Sequence, residues 1–320
     1  MSEGFYILGK QYHPPARYHD LDEVNHAVSG ANLEFVQLKP GNLDIALDQI
    51  SLGDVSIDLG TINLPIRMMG ELDPTRFSIG AFTKGAHANW NGNSVDESQL
   101  LFCKPGEEIS GCASTIYGWT SLVILPEWIE SIEQTTLRTN LTQITSCTSI
   151  RPDPERLKDL WQAIENIVQP AEIPLDTRAA DWLVTDLRNA LGAALSSIDV
   201  APAKVMSQAR GHFIIAKRAE CYMRERIAEP VSIDELCVAM NASRRYLEYA
   251  FAEAFGTSPS RYFRLMRLHQ VRKRLKASGG GTTVTNEAFG LGFNHLSLFT
   301  TQYKNAFGEC PSATLARATI

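Results

Sequence analysis

Four polar side chains on one predicted helix have the chemistry needed to contact a nucleic acid. Arg244 and Arg245 carry guanidinium groups that donate to guanine O6 and N7 or to phosphate oxygens. Glu248 can accept from a cytosine amino group, and Tyr249 offers a ring to a thymine methyl group or a hydroxyl to a phosphate. The sequence does not decide between base and phosphate contacts, and a solvated helix face is the alternative interpretation.

These side chains require a pair of short helices to position them. Ser232 and Glu235 form a capping box, in which the serine hydroxyl accepts from the Glu235 amide and the Glu235 carboxylate reaches back to the serine amide. A polar break ending at Ser243 separates this helix from a second one, which Gly256 stops. Helical spacing predicts that the inner face of the second helix contains Leu247, Ala250, Phe251, Ala254 and Phe255. The stretch at about 232–256 therefore predicts a helix-turn-helix motif, with Ser243 included among its contact residues.

The same layout recurs at about 283–308, and both copies end in Phe-Gly-x-x-Pro-Ser. A glycine turn at Gly290 and Gly292 precedes a helix that starts at about Asn294. Its buried side is predicted to contain Phe293, Leu298, Phe299, Tyr303 and Phe307. Its outer, contacting residues are predicted to be His295, Leu296, Ser297, Thr300, Thr301 and Lys304. Because these side chains supply little positive charge, we expect the first motif to dominate sequence readout and the second to position the DNA backbone.

A helix of about 20 residues at about 259–278 joins the two motifs. At about 1.5 Å per residue it spans about 30 Å, close to the roughly 34 Å of one B-DNA turn. Four cations near its end form a predicted solvated face, with DNA-backbone contact as the alternative; they are Arg272, Lys273, Arg274 and Lys276. The glycines at 279–281 predict a flexible joint before the second motif.

Residues from about 210 to 317 resemble the DNA-binding domain of the AraC/XylS family of bacterial transcription regulators. The resemblance is carried by SRRYLEYAFAEAFGTSPSRYFRLMRLHQVRKRL and GFNHLSLFTTQYKNAFGECPSATL, which follow the family's first recognition helix, linker helix and second motif. Two positions depart from the family pattern. Glu287 stands where the family usually has a buried isoleucine, and Tyr249 stands where a basic residue is common.

Charge is distributed unequally along the 320 residues, whose net charge is −6. The segment 203–320 has 17 Lys and Arg against 9 Asp and Glu, a balance of +8, whereas the preceding residues have 13 against 27, a balance of −14. The basic end suits a polyanion, and the acidic part discourages indiscriminate binding to phosphate. About two domains are expected from this length.

The segment 1–150 is rich in short runs of Val, Ile, Leu and Thr punctuated by Gly, Asn and Pro, such as 33–38, 55–59 and 114–125. This pattern predicts an antiparallel β-rich domain, either a cupin-like barrel or a sandwich. Two amphipathic helices follow within 154–198; they either pack on the sheet or form a dimer interface, for which Trp182 and Leu195 are the residues to test. The fold class is thus an α+β N-terminal domain at 1–200, a linker at 201–209 and an all-α domain at 210–320.

Other function classes are disfavoured. The histidines at 13, 19, 26 and 87 form no H-x-H pair, and the six cysteines form no C-x-x-C pair, which predicts no metal site and buried free thiols. We recognise no phosphate loop, nucleophile elbow or pair of carboxylates in a suitable context, so we expect neither catalysis nor a cofactor. No membrane span or signal peptide is recognised, and we expect a cytoplasmic bacterial protein.

The resemblance implies a non-enzymatic, sequence-specific activator of transcription. Its implied partners are double-stranded promoter DNA, RNA polymerase, a small effector bound by the N-terminal domain and a second copy of the chain. Two alternatives stay open: an enzyme-like cupin domain tethered to a DNA-binding module, and an RNA-binding or architectural protein. Salt-sensitive binding without preference among duplex sequences would distinguish the last of these.

Overall fold

The computed structural model describes residues 6–7, 10–28, 30–83, 85–113, 116–136, 141, 147–168, 177–196 and 208–318. Most of the linker predicted at 201–209 lies outside these residues. The first part of the chain is mainly strands. They are β1 (Tyr6–Ile7), β2 (Lys10–Tyr18), β3 (Ala31–Gln37), β4 (Ile45–Leu52), β5 (Val55–Ile62), β6 (Ile66–Leu72), β7 (Phe77–Phe82), β8 (Ala88–Trp90), β9 (Asn93–Val95), β10 (Leu100–Cys103), β11 (Glu108–Ala113), β12 (Tyr117–Ile124) and β13 (Thr148–Ile150).

The described strands form two antiparallel sheets. The larger has the order β1-β2-β4-β5-β12-β7-β10-β13, and the smaller has the order β3-β6-β11-β8-β9. Alternate residues of β4, such as Ile45 and Leu47, are buried because successive side chains point to opposite faces of a sheet. The two sheets face each other across a shared apolar cluster that includes Ile62 from one and Ile66 from the other. The predicted β-rich fold class is confirmed.

Eleven helices are described, and within the described chain none is long and apolar enough to cross a membrane. The helices are α1 (Leu21–Ala27), α2 (Pro126–Thr136), α3 (Pro154–Val168), α4 (Thr177–Ser196), α5 (Gln208–Glu225), α6 (Ile233–Met240), α7 (Arg244–Phe255), α8 (Pro259–Ala277), α9 (Val284–Gly290), α10 (Leu296–Phe307) and α11 (Pro311–Arg317). The sequence analysis did not predict α1 or α2, which are short and interrupt the strand-rich region.

Helices α2, α3 and α4 cover the outer face of the larger sheet. Leu187, Leu191 and Leu195 of α4 are completely buried in one cluster with sheet residues such as Ile57. The helices predicted within 154–198 therefore pack on their own sheet, which was one of the two alternatives; the other was a dimer interface. Leu195 is unavailable to a partner, whereas Trp182 is 61% exposed.

The expectation of buried free thiols was wrong for three cysteines. Cys103 at the end of β10 and Cys147 just before β13 form a disulfide, which joins segments 44 residues apart. Cys221 is exposed on α5. Cys112 fits the expectation, since burial raises its pKa to about 12 and keeps the thiol neutral.

Helix α8 is the strut of the helical domain. Its first half contributes Tyr262 and Met266 to a cluster with α5, α6 and α7, and its second half contributes Val271 and Leu275 to a cluster with α9 and α10. Each helical pair therefore has its own apolar core on a common helix. The 19 residues of α8 span about 28 Å at about 1.5 Å per residue.

A buried ion pair joins the β-rich part to this helical domain. Arg67 Nη2 on β6 lies 2.7 Å from Glu220 Oε2 on α5, and both side chains are 1% exposed. The Tyr262 hydroxyl donates to the other Glu220 oxygen, while Arg67 also donates to Ser110 Oγ at 2.8 Å and to Gly111 O at 3.0 Å. Buried charges require such pairing, because desolvating an unpaired one costs several kcal/mol.

A second buried side chain bridges the two domains. The Gln37 side chain at the end of β3 donates to Ala306 O on α10 at 2.8 Å, and the Gln37 backbone amide donates to His269 Nε2 on α8 at 2.9 Å. An imidazole nitrogen accepts a hydrogen bond only when it is unprotonated. Desolvation and the nearby Arg272 guanidinium lower the pKa of His269 to about 4, which keeps this contact intact at neutral pH.

The cations at the end of α8 do not form the solvated face that was predicted. Arg272 lies 3.1 Å from both Asp20 on the β-rich side and Glu309 after α10, and Lys276 lies 2.5 Å from Asp20. Burial raises the pKa of the Asp20 carboxyl, but the charges of Arg272 and Lys276 outweigh that effect and hold the pKa below its usual value. These cations therefore serve the domain interface.

Arg274 and Glu287 form a similar contact within the helical domain. Their closest atoms lie 3.6 Å apart, and Glu287 also accepts from the Thr282 hydroxyl at 2.8 Å. Glu287, which stands at a position usually apolar in the family, thus has charged and polar partners. Of the four predicted cations, Lys273 is exposed as expected, whereas the other three are partly buried.

We expect Glu220→Gln to lower the free energy of unfolding by about 3–5 kcal/mol, because it leaves the buried Arg67 charge without a counter-ion. Lys217→Met is the matched control on the same helix, since the Lys217–Glu108 pair also crosses the interface but is 39% and 68% exposed. That control should cost about 1 kcal/mol or less. Urea denaturation of the full chain measures the free energy of unfolding of both variants. Equal losses would contradict the conclusion that the buried Arg67–Glu220 pair holds the two domains together.

We also expect the interface to weaken below pH 6.5. His269 is neutral in the folded chain down to about pH 4, whereas an unfolded histidine binds a proton near pH 6.5, so stability is complete above 6.5 and falls as pH decreases. The loss is about 2 kcal/mol at pH 5. Urea denaturation at pH 7 and pH 5 measures this loss of unfolding free energy, which should be smaller for His269→Gln than for the wild type. The same loss in both proteins would refute this prediction.

Candidate nucleic-acid interface

Helix α7 is set by caps at both ends. The Ser243 hydroxyl accepts from the Tyr246 amide at 3.2 Å, and Gly256 ends the helix with a φ of +65°, which favours glycine. At the preceding helix, Ser232 accepts from the Glu235 amide at 3.1 Å as predicted. The Glu235 carboxylate, however, accepts from the Tyr222 hydroxyl rather than reaching back to Ser232. The five apolar residues predicted for the inner face of α7 are all buried.

The outer face of α7 presents the four predicted contact residues, all exposed. Arg244 Nε lies 3.3 Å from Glu248 Oε1, and the Arg245 guanidinium lies 5.6 Å from the centre of the Tyr249 ring. Exposed contacts at this spacing contribute only a few tenths of a kcal/mol each. They are weak enough to be exchanged for contacts with a partner.

Helix α9 and the turn after it position α10. The Thr283 hydroxyl caps α9 by accepting from the Asn286 amide at 3.1 Å. Gly292 in the turn has a φ of +78°, and a Cβ there would lie 3.2 Å from the Arg267 guanidinium, so the turn requires glycine. His295 is the N-cap residue of α10 without a side-chain capping bond, and its ring is exposed.

The predicted outer face of α10 needs one correction. His295, Ser297, Thr300, Thr301 and Lys304 are exposed as expected, but Leu296 is half-buried. It precedes the buried Phe299 by three residues, so it lies on the same inward face and packs in that core. Leu298, predicted to be buried, is instead 54% exposed.

The two threonine hydroxyls of this face already donate hydrogen bonds. Thr300 donates to Leu296 O at 2.9 Å, and Thr301 donates to Ser297 O at 3.0 Å. Their oxygen lone pairs stay free to accept, which suits a base amino group better than a phosphate. The contact roles of all eleven predicted residues stay predictions.

Sequence reasoning missed a groove beside α10. Ser260 and Arg264 on the first turns of α8 line a groove of about 530 Å³ together with Asn294, His295 and Leu298. Arg264 is exposed because its neighbours Tyr262, Phe263 and Met266 face the core. Helical spacing within α8 could have predicted that Arg264 is exposed. The sequence analysis considered only the basic run at the other end of this helix.

Two capped helix pairs on a common strut, each with an exposed second helix, define a double helix-turn-helix domain. Residues 236–317 match a family model described as a helix-turn-helix domain. The XylDLEGF operon transcriptional activator of Pseudomonas putida is 33% identical over 100 residues, which are 31% of this chain and 31% of that protein. The HTH-type transcriptional regulator GbdR of Pseudomonas aeruginosa is 36% identical over 89 residues, 28% of this chain and 24% of that protein.

Among solved structures, a probable AraC family transcriptional regulator from Rhodopseudomonas palustris CGA009 is 32% identical, with a TM-score of 0.32; the match covers 33% of this chain and 99% of that one. By its C-terminal domain this chain belongs to the AraC/XylS family. The matched stretch spans about a third of the length of the P. putida relative. The similarity therefore concerns the helical domain.

We expect Arg245→Ala to weaken binding at a selected duplex site by about 1–3 kcal/mol, with relaxed preference at one base pair, if the guanidinium reads a base. An equal loss on all duplexes would assign Arg245 to a phosphate instead. Arg178→Ala, which removes the same exposed charge from α4, is the control and should leave binding unchanged. Fluorescence anisotropy with single-base site variants measures the difference.

Proposed function

We propose that this chain is a sequence-specific DNA-binding transcription regulator whose N-terminal domain, residues 1–200, controls the helical domain at 210–320. The observation that carries the proposal is the exposed outer face of α7, opposite the buried side on which the β-rich part docks. Ten of the eleven predicted contact residues are exposed, and these together with the balance of +8 over 203–320 support a duplex partner.

The sign of regulation and the remaining partners are part of the proposal. The P. putida relative is named as a transcriptional activator, which favours activation here through contact with RNA polymerase at a bound promoter. A second copy of the chain would pair through the exposed face of α4 that includes Trp182. The protein acts by occupancy rather than turnover, needs no cofactor or metal and works in the bacterial cytoplasm.

The contacts that hold the N-terminal domain to α8 support control of the helical domain by the N-terminal domain. An effector shifts the helical domain only by the difference between its affinities for two arrangements of the chain. Because Gln37 and Asp20 contact α8 or α10 directly, any movement of β3 or α1 changes the support of both helix-turn-helix units. A structural change in the N-terminal domain can therefore reach the helical domain through these direct contacts, without a mobile linker segment.

The rigid strut predicts a fixed spacing of DNA contacts. Selection from random duplexes with the full chain should give two boxes about one helical turn apart on one face. Inserting about 5 base pairs between the boxes should abolish specific binding, because it places them on opposite faces of the duplex. The same insertion outside the boxes is the control. Recovery of no preferred sequence would refute the proposed function.

A further inference from the structure

Cys103 and Cys147 occupy directly opposite positions on two neighbouring chain segments. In the antiparallel pair of β10 and β13, Phe102 lies opposite Thr148. The same register places the next residue, Cys103, opposite Cys147, and a disulfide joins the two. β13 has three residues and stands last in the order of the described strands of the larger sheet. The disulfide therefore ties a short strand at the edge of the sheet to its neighbour.

Apolar packing also holds β13 in place. Ile150 of β13 is 3% exposed and lies in one apolar cluster with Leu100 of β10 and Leu157 of α3. Neither this cluster nor the pairing of the two strands involves the sulfur atoms. We therefore expect the chain to stay folded when the disulfide is reduced, which is required of a bond that opens and closes in a native protein.

The surroundings of the two sulfur atoms favour negative charge on one of them. The Trp90 indole N–H donates to Cys147 Sγ at 3.2 Å, a contact that stabilises a thiolate on that sulfur once the disulfide is open. A Glu107 carboxylate oxygen and both sulfur atoms lie within 4.8 Å of one another, so a second thiolate would be repelled. The open pair therefore favours a Cys147 thiolate beside a neutral Cys103 thiol, and the thiolate is the reactive form.

The function proposed above places this disulfide in the compartment that contains DNA. The bacterial cytoplasm keeps thiols reduced, and a cytoplasmic disulfide is usually transient and either catalytic or redox-sensing. Permanent structural disulfides are typical of secreted chains. The compartment is thus inferred from the proposed function, whereas the chemistry of the cysteine pair is independent of it.

We propose that Cys103 and Cys147 form a reversible oxidation site, which a hydroperoxide closes and a dithiol opens. In closing, the Cys147 thiolate attacks a peroxide oxygen, so an S–O bond forms and the O–O bond breaks. The Cys103 sulfur then attacks the resulting sulfenic acid, the S–S bond forms, and the oxygen leaves as water. Counted from two thiols, the pair gives two electrons and two protons to hydrogen peroxide, which yields two molecules of water.

Opening reverses this transfer of electrons. Cys147 is the more exposed of the two cysteines, at 9% against 3%, so the reductant attacks its sulfur. The S–S bond breaks, and the Cys103 sulfur leaves and takes up a proton. The second thiol of the reductant then displaces Cys147 from the mixed disulfide. Two electrons and two protons pass to the cysteine pair, and the reductant becomes a disulfide.

The test counts thiols in the full chain without DNA, in a Cys221→Ser, Cys237→Ser and Cys310→Ser background. Of the six cysteines, the pair and Cys112 then remain. After each treatment the chain is denatured, labelled with a maleimide and weighed by mass spectrometry. Dithiothreitol should give three labels, hydrogen peroxide should leave one, on the buried and neutral Cys112, and renewed dithiothreitol should restore three. Circular dichroism should show a folded chain in both states.

Single variants in the same background identify the nucleophile. Cys103→Ser leaves Cys147 without a neighbouring thiol, so peroxide should produce a sulfenic acid that dimedone traps. Cys147→Ser is the matched control and should give little adduct, because Cys103 lacks the contact with Trp90. A larger adduct on Cys103 would contradict the assignment of Cys147 as the nucleophile. Cys112→Ser should keep the cycle, with two labels after reduction and none after oxidation.

The outcomes separate this inference from the proposed function. Three labels after peroxide, reduction that requires urea, or loss of the folded spectrum on reduction would overturn the oxidation site. Specific duplex binding in that case would leave the proposed function standing. A complete cycle of oxidation and reduction in a chain that selects no duplex sequence would support the oxidation site and overturn the function.

Discussion

The buried pair of Arg67 and Glu220 is the constraint on which the arrangement of the molecule depends. A guanidinium with 1% exposure is stable only while its carboxylate, Ser110 and Gly111 stay in place. Because Arg67 lies on a strand and Glu220 on a helix 153 residues later, their pairing fixes how the two domains meet. Apolar packing around the pair adds buried surface area, but apolar contacts do not depend strongly on orientation. The charges provide the specificity of the docking.

That docking explains why the outer face of α7 stays exposed. Glu220 is also bound by Tyr262, so α5 and α8 are held against the smaller sheet from one side. Val36 and Leu38 of the β-rich part join the same apolar cluster as the inner residues of α7, including Leu247. The outer side of α7 therefore has to face away from the sheets. The domain interface and the exposed face of α7 therefore lie on opposite sides of one helical unit.

Helix caps and the spacing of apolar residues predicted the helical domain well, because each of them depends on residues within about one helical turn. The Ser243 cap, the Gly256 stop and the inner face of α7 depend on spacing alone. The outer and inner assignments of Leu296 and Leu298 were wrong, because Leu296 lies three residues before the buried Phe299 and so shares its face, whereas Leu298 does not. Contacts between distant residues could not be predicted: nothing near Arg272 in sequence indicates Asp20, 252 residues away. The Cys103–Cys147 disulfide was missed for the same reason, since pairing depends on which strands become neighbours.

Helix α1 lies between helix α8 and an apolar cavity of about 100 Å³ that is enclosed by the two sheets. Leu21 and Val24 line the cavity, while Asp20, immediately before them, caps the helix and pairs with Arg272 and Lys276 of α8. Any change in the packing of Leu21 therefore acts on a carboxylate one residue away. Because Asp20 is buried with two cations, a shift of α1 cannot be absorbed by solvent, and either the ion pairs or the strut must adjust. Under the function proposed above, the difference between an effector's affinities for two arrangements of the chain sets an upper limit on the change in DNA affinity.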